Sequence, residues 1–228
     1  MGLLKNEDKE YLKREFENAL KNDVRLILFS SEDEHCIYCK ETRQLLEEVS
    51  ALSDKILLEV HDIKSEDAKT MGVEHTPTIV ITDSDSRLGS RIKFIGIPSG
   101  YEFTTLIKDI MFISSGELEV SPETREALKD VNSKLLIEVY VTPSCPYCPK
   151  AVLVAHQFAM ISENIEGVMI ESLEFPSLAD RWSVMGVPHT VIRNLDKGNV
   201  VQFVGAYPET HVINFVKDAD EGKDVDMR

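Results

Sequence analysis

Apolar residues along this chain recur in two alternating rhythms, and the alternation is itself repeated once. The first rhythm is helical: Leu12, Phe16, Ala19 and Leu20 fall on one face of an otherwise polar segment. A continuous apolar run, VRLILF at 24 to 29, follows and suits a strand covered on both faces. Helical spacing returns with Leu45, Leu46, Val49 and Leu52, before a second strand pattern, KILLEVHDI, and a short polar helix ending in Met-Gly-Val. Two more strands, TIVIT and RIKFIGI, lead to a closing helix. The second half repeats this order with LLIEVYV at 135 to 141, then EGVMIES, a second Met-Gly-Val, HTVIRN with VVQFVG, and a helix carrying Val212, Phe215, Val216 and Ala219. An order of βαβ followed by αββα predicts an α/β protein, each half a mixed sheet with helices on both faces. The mostly charged tail from Asp220 is expected to fray.

Local matches give the repeat a length. Cys36 and Cys39 have counterparts 109 residues on, in Cys145 and Cys148, and Gly96 of KFIGIPSG and Gly205 of QFVGAYPE keep the same offset. MGVEHTPTIVI and MGVPHTVI are offset by 114, or by 111 when Pro77 is aligned with Pro188. Offsets that open and close again are the mark of loop-length changes. A period of half the chain means tandem domains, since solenoid repeats run roughly 20 to 50 residues. The expected boundaries are 1–117, containing CIYC, and 118–228, containing CPYC.

Composition narrows the function. A chain of 228 residues with 43% hydrophobic content can bury a core. The formal charge of −15 argues against nucleic acid and against an anionic membrane surface, both of which call for clustered Lys and Arg. The charged N-terminal stretch MGLLKNEDKEYLKREF has no apolar signal region, and Asn6 stands where a myristoylation signal wants Ser or Thr. No apolar run reaches the ~18 residues of a membrane span. The expectation is a soluble cytoplasmic protein. All four cysteines lie in two C-x-x-C pairs, which outside small secreted domains points to metal ligation or redox exchange.

Three chemistries compete for those pairs. A four-thiolate zinc site usually holds its two pairs roughly 15 to 20 residues apart, whereas here they stand in opposite halves. A purely structural disulfide gains little from so short a loop. Redox exchange has a mechanism: two cysteines three apart at a helix start can join, and the helix end stabilises a thiolate on the first. Cys36 and Cys145 are then the attacking thiols, and Cys39 and Cys148 resolve the mixed disulfide. Pro146 fits a first helical position, whereas Pro149 is expected to disturb the first turn. The first site has Lys40 in place of Pro149, His35 before its first cysteine, and Glu32, Asp33 and Glu34 upstream, acids that oppose a thiolate.

Strand, C-x-x-C, helix and a proline before the third strand resemble the thioredoxin/glutaredoxin fold, and CPYC is the glutaredoxin active-site tetrapeptide. From about residue 5 to 219 the chain is similar to the glutaredoxin-like protein disulfide oxidoreductases of hyperthermophiles, through VTPSCPYCP and FVGAYPE. The resemblance implies two tandem thioredoxin-like units acting on disulfides of protein substrates by reduction, oxidation and isomerisation. It further implies no cofactor beyond the redox-active pairs Cys36–Cys39 and Cys145–Cys148, and recharging by a thioredoxin reductase-like partner. It makes Pro77 and Pro188 cis, with Thr76 and Val187 lining a substrate groove, and places Tyr38 and Tyr147 between the thiols. Thioredoxins also use a buried carboxylate; the candidates are Glu138, inside an apolar strand opposite Phe29 in the repeat, and Asp62 and Glu174, which suit helix capping as well. The N-terminal module of alkyl hydroperoxide reductase flavoproteins is doubled similarly but keeps one C-x-x-C. The alternatives are a zinc-stabilised binding protein and a relay in which one site alone faces substrates. The six histidines show no metal or triad spacing, and Trp182 and the methionines are expected in cores. Gly96 and Gly205 are expected in tight turns.

Overall fold

Val24, Leu26, Ile27, Leu28 and Phe29 are all fully buried, which is what an apolar run covered on both faces requires. They belong to a computed structural model that describes residues 2–33 and 36–228; Met1, Glu34 and His35 lie outside the described residues. The chain divides into two compact units, one of Met1–Ile97 with Leu106–Glu117 and the other of Pro98–Thr105 with Leu118–Arg228.

The first unit contains α1 (Asn6–Ala19), β1 (Val24–Ser30), α2 (Cys39–Ser50), β2 (Ile56–Asp62), α3 (Glu66–Thr70), β3 (Thr78–Asp83) and β4 (Ile92–Ile95). The helix α4 (Glu102–Ser115) contributes to it all but its first turn. Strand β1 pairs in parallel with β2 and antiparallel with β3, and β3 pairs antiparallel with β4, in the order β2-β1-β3-β4. Helix α2 lies on β1 and β2 through Leu45, Leu46 and Val49, the stripe its spacing announced.

The second unit repeats this with α5 (Pro122–Lys129), β5 (Leu135–Val141), α6 (Cys148–Ile161), β6 (Ile165–Glu171), α7 (Pro176–Arg181), β7 (His189–Asn194), β8 (Val200–Val204) and α8 (Glu209–Glu221). Its order is β6-β5-β7-β8 followed by β9 (Val225–Met227), with β5 and β6 parallel. The tail expected to fray instead closes α8 at Gly222, whose φ of 91° suits a left-handed cap, and then pairs in parallel with β8. The Asn199 amide, bonded to the Ala219 and Lys223 carbonyls, holds this reversal in place. Among the described residues no helix is long and apolar enough to cross a membrane.

Strand registers fix the repeat at 111 in the central strands, where Val24 faces Asp83 and Leu135 faces Asn194. The structural counterpart of Glu138 is therefore Ile27, not Phe29; the loop between β1 and Cys36 is two residues longer than that between β5 and Cys145.

Candidate active sites

Both dithiols stand where the parallel strands run out. The carbonyl of Ser30 at the end of β1 accepts from the Ile63 amide (3.0 Å), and that of Val141 at the end of β5 accepts from Ser172 (3.0 Å). Opposite them, β3 begins with Thr78 facing Phe29, and β7 begins with His189 facing Tyr140. The residues just before those rungs, Pro77 and Pro188, thus lie beside the ends of β1 and β5, and both follow cis bonds, from Thr76 and from Val187. Their carbonyls accept from Gly96 (2.9 Å) and Gly205 (2.8 Å). Those glycines have φ of 98° and 113°, which is why the two matched segments share them. Loops from four strands therefore meet at one end of each sheet, the customary place for a site in a fold of this type.

Cys36 is bonded to Cys39 and Cys145 to Cys148, with Cα atoms 5.5 Å apart in both pairs. The helices begin one turn later than the spacing suggested. Cys39 and Cys148 are the first helical residues, Tyr38 and Tyr147 are the caps, and the first cysteine belongs to the preceding turn. Each turn is closed by its cysteine amide, Cys36 to the Asp33 carbonyl (3.0 Å) and Cys145 to that of Thr142 (3.1 Å). Pro149 consequently occupies the second helical position, where no intrahelical donor is needed, so the disturbance expected there is absent; Pro146 lies in the turn. Neither cap residue bonds its helix through a side chain. The helix ends keep N–H groups and positive potential next to the sulfurs.

The members of each pair differ in access. Cys39 and Cys148 are 3% and 0% exposed, whereas Cys145 is 7% exposed and Cys36 more open still. The Ser31 amide donates to Cys39 Sγ at 3.4 Å, a contact the sequence had not marked. The rims carry exposed apolar side chains: Ile37 (70%) and Tyr38 (40%) at the first site, Tyr147 (70%) and Met185 (94%) at the second. Met185 is thus no core methionine, and Trp182 is only partly buried. His35 and Glu34, named for the first site, lie outside the described residues.

The carboxylate candidates are redistributed. Glu138 points, with Tyr140, to the side of the sheet bearing α7: Arg193 Nη1 is 3.7 Å from its Oε2, Arg181 of α7 adds a second positive charge, and Trp182 adjoins Tyr140. Burial raises its pKa above the ordinary carboxylate value despite the two arginines. Tyr140 packs edge-on against His189, whose own pKa is lowered by burial. In the first unit Ile27 and Phe29, the counterparts of Glu138 and Tyr140, instead join Ala68, Val73 and Val80 in an apolar cluster. Glu138 is thus one member of a charged patch under α7.

Neither Asp62 nor Glu174 stands at an N-cap position, which Ser65 takes in α3 and Phe175 in α7. Ser65 caps α3 by accepting from Ala68, while the Asp62 carboxylate accepts from the Lys64 amide (2.7 Å). The counterpart of Asp62 is Glu171, which an offset of 109 from Asp62 identifies. Its carboxylate is buried and accepts from the amides of Leu173 (3.2 Å) and Glu174 (2.6 Å). Burial pushes its pKa up, against those two bonds.

Comparison with known proteins agrees with this geometry. Residues 135–216 match the thioredoxin domain model. A protein disulfide oxidoreductase from Aeropyrum pernix superposes with a TM-score of 0.86 at 31% identity, covering 97% of this chain and 96% of that one. An N-terminal domain of the alkylhydroperoxide reductase AhpF from Enterococcus faecalis superposes with a TM-score of 0.81 at 27% identity, covering 93% of this chain and 99% of the solved one. The same reductase from Xanthomonas campestris pv. phaseoli is 25% identical over 177 residues, 78% of this chain and 32% of that protein. The chain spans about a third of the length of the curated relatives it matches.

Proposed function

The chain belongs to the protein disulfide oxidoreductase family of its Aeropyrum pernix relative, and from that premise we propose that it reduces, oxidises and isomerises disulfides in proteins through two separate dithiols. The chain is a thiol–disulfide oxidoreductase. The observation that carries the assignment of roles is the difference in burial within each pair, repeated in both units.

In the reducing direction the Cys145 thiolate attacks one sulfur of a substrate disulfide. A bond forms between Cys145 and that sulfur, and the other substrate sulfur leaves as a thiolate that takes up a proton. Cys148, losing its proton, then attacks Cys145 Sγ, releasing the second substrate thiol and closing Cys145–Cys148. Two electrons pass from the dithiol to the substrate. Cys36 and Cys39 act likewise, with the Ser31 amide favouring charge on Cys39. Helix ends next to each pair stabilise the attacking thiolate. Pro77 with Thr76 and Pro188 with Val187 border the groove in which substrate backbone lies. No cofactor takes part, the two-electron carriers being the cysteine pairs themselves. A reductase of the thioredoxin reductase kind recharges them; the likeness to a hydroperoxide reductase supports a redox partner of the reductase kind and no finer class. A cytoplasmic location belongs to the same reading.

The test is dithiothreitol-driven reduction of insulin disulfides. Cys36→Ser/Cys39→Ser and Cys145→Ser/Cys148→Ser are each expected to keep part of the activity, and the quadruple variant none. Cys148→Ser is expected to accumulate covalent adducts with substrate proteins that reductant releases. An inactive wild type carrying stoichiometric zinc would overturn the proposal in favour of a metal-binding protein.

A further inference from the structure

The two dithiols share their frame and differ in what surrounds it. Aligned on the cysteines, the residue two after the second thiol is Glu41 at the first site and Lys150 at the second, each exposed in the first turn of its helix. Aligned on the cis prolines, the residue three before is Glu74 at the first and Met185 at the second, both exposed. The turn leading into Cys36 adds exposed Glu32 and Asp33, whereas Pro143 and Ser144 lead into Cys145. Against these four carboxylates the first site has Lys40, replaced at the second by Pro149. Over these positions the first rim has a formal charge of −3 and the second of +1.

Resting on the reading of both pairs as working dithiols, we propose that the sites divide their substrates by charge. The Cys36–Cys39 site selects disulfides flanked by cationic groups, and the Cys145–Cys148 site selects disulfides in neutral, apolar segments that pack on Tyr147 and Met185. Strand registers bring the rim residues to the dithiol: the last rungs, Phe29 with Thr78 and Tyr140 with His189, set the turn before each C-x-x-C beside the segment that ends in the cis proline. A substrate sulfur in line with Cys36 Sγ therefore arrives among the carboxylates. Groups within a Debye length of the reacting sulfur, about 8 to 10 Å at physiological salt, act on its approach. Several like charges around a cleft change association rates by roughly ten-fold or more at low salt.

Two small disulfides of opposite charge read the difference. Each single-site protein, Cys145→Ser/Cys148→Ser and Cys36→Ser/Cys39→Ser, is reduced, freed of reductant, and reacted in single turnovers with cystamine and with 3,3′-dithiodipropionate. Differences in the intrinsic reactivity of the two reagents cancel when the cystamine-to-dithiodipropionate rate ratio is compared between sites. The ratio is expected to be about ten-fold higher at the Cys36–Cys39 site in dilute buffer, and the two sites are expected to converge at about 0.5 M salt. Exchanging rim residues, as Glu41→Lys/Glu74→Met in the first-site protein, is expected to remove most of the preference while dithiol reactivity remains. Ratios equal within two-fold at both sites in dilute buffer, with both reacting, overturn the charge division alone. A site that reacts with neither reagent overturns the assignment of that pair as a working dithiol, and the division with it.

Discussion

At Gly100 the backbone has φ of 60°, and a Cβ there would stand 2.2 Å from the carbonyl oxygen of Pro143. That carbonyl also accepts from the Tyr101 amide at 3.1 Å, so the loop leading into Cys145 rests on a glycine in the second unit's Pro98–Thr105 segment. Gly100→Ala must shift one backbone or the other and adopt a left-handed conformation, itself costing about 1–2 kcal/mol. Thermal melting is expected to reveal that loss, and insulin reduction by the Cys145–Cys148 site is expected to fall more than that by the Cys36–Cys39 site. Glu138 offers a second residue-scale test. Because its folded pKa is raised, the native state binds its proton more tightly than the unfolded chain, and this site subtracts stability as pH rises from about 4.3 through the folded value. Urea denaturation of wild type and Glu138→Gln is expected to show the variant gaining on wild type across that window; a constant gap would mean the carboxylate is not penalised by burial. The apolar flanks of Glu138 marked it in the sequence, but its orientation was hidden, because alternation along a strand says which residues share a face and not which helix covers it.

Elements were legible where their period was long and uninterrupted. The stripe of Leu45, Leu46 and Val49 located α2, yet not its first residue, because a turn ending in Cys36 and a helix beginning at Cys39 carry no apolar period of their own. The same gap misassigned Pro146 and Pro149. Helix α1 shows a constraint that periodicity cannot reveal: the Glu48 carboxylate of α2 accepts from the Leu3 (2.7 Å) and Leu4 (3.1 Å) amides and pairs with Lys9 at 2.8 Å, fixing the start of the chain to α2. The Lys9 ammonium, helped by those amides, holds the Glu48 pKa down at about 2. A depressed carboxylate contributes stability above its unfolded value, lost as pH falls through the folded one. Glu48→Gln is therefore expected to lower the melting temperature at neutral pH, by the equivalent of about 1 kcal/mol for a partly exposed pair. Its melting curve is expected to merge with that of wild type as pH falls from 4.5 towards 2. A difference that survives at the acid end would assign the effect to packing.

For the molecule as a whole, duplication was the most legible feature, because matched cysteines, prolines and glycines need no knowledge of packing. What the repeat concealed is how far the copies have diverged behind the matched residues. Ile27 and Phe29 lie in an apolar cluster, while Glu138 and Tyr140, in the same strand positions, lie in a charged one beneath α7. The glycines that meet each cis proline were retained, and the charges around each dithiol were not. The last strand, β9, was missed because three residues in a charged tail have neither period nor length. Yet it lies along β8, whose backbone groups would otherwise form an open border of the sheet. An extended segment of another chain is a ready partner for an unpaired strand. With the tail in that place the outermost strand is three residues long and flanked by Asp224 and Arg228, a short and charged edge that offers an incoming chain little to pair with.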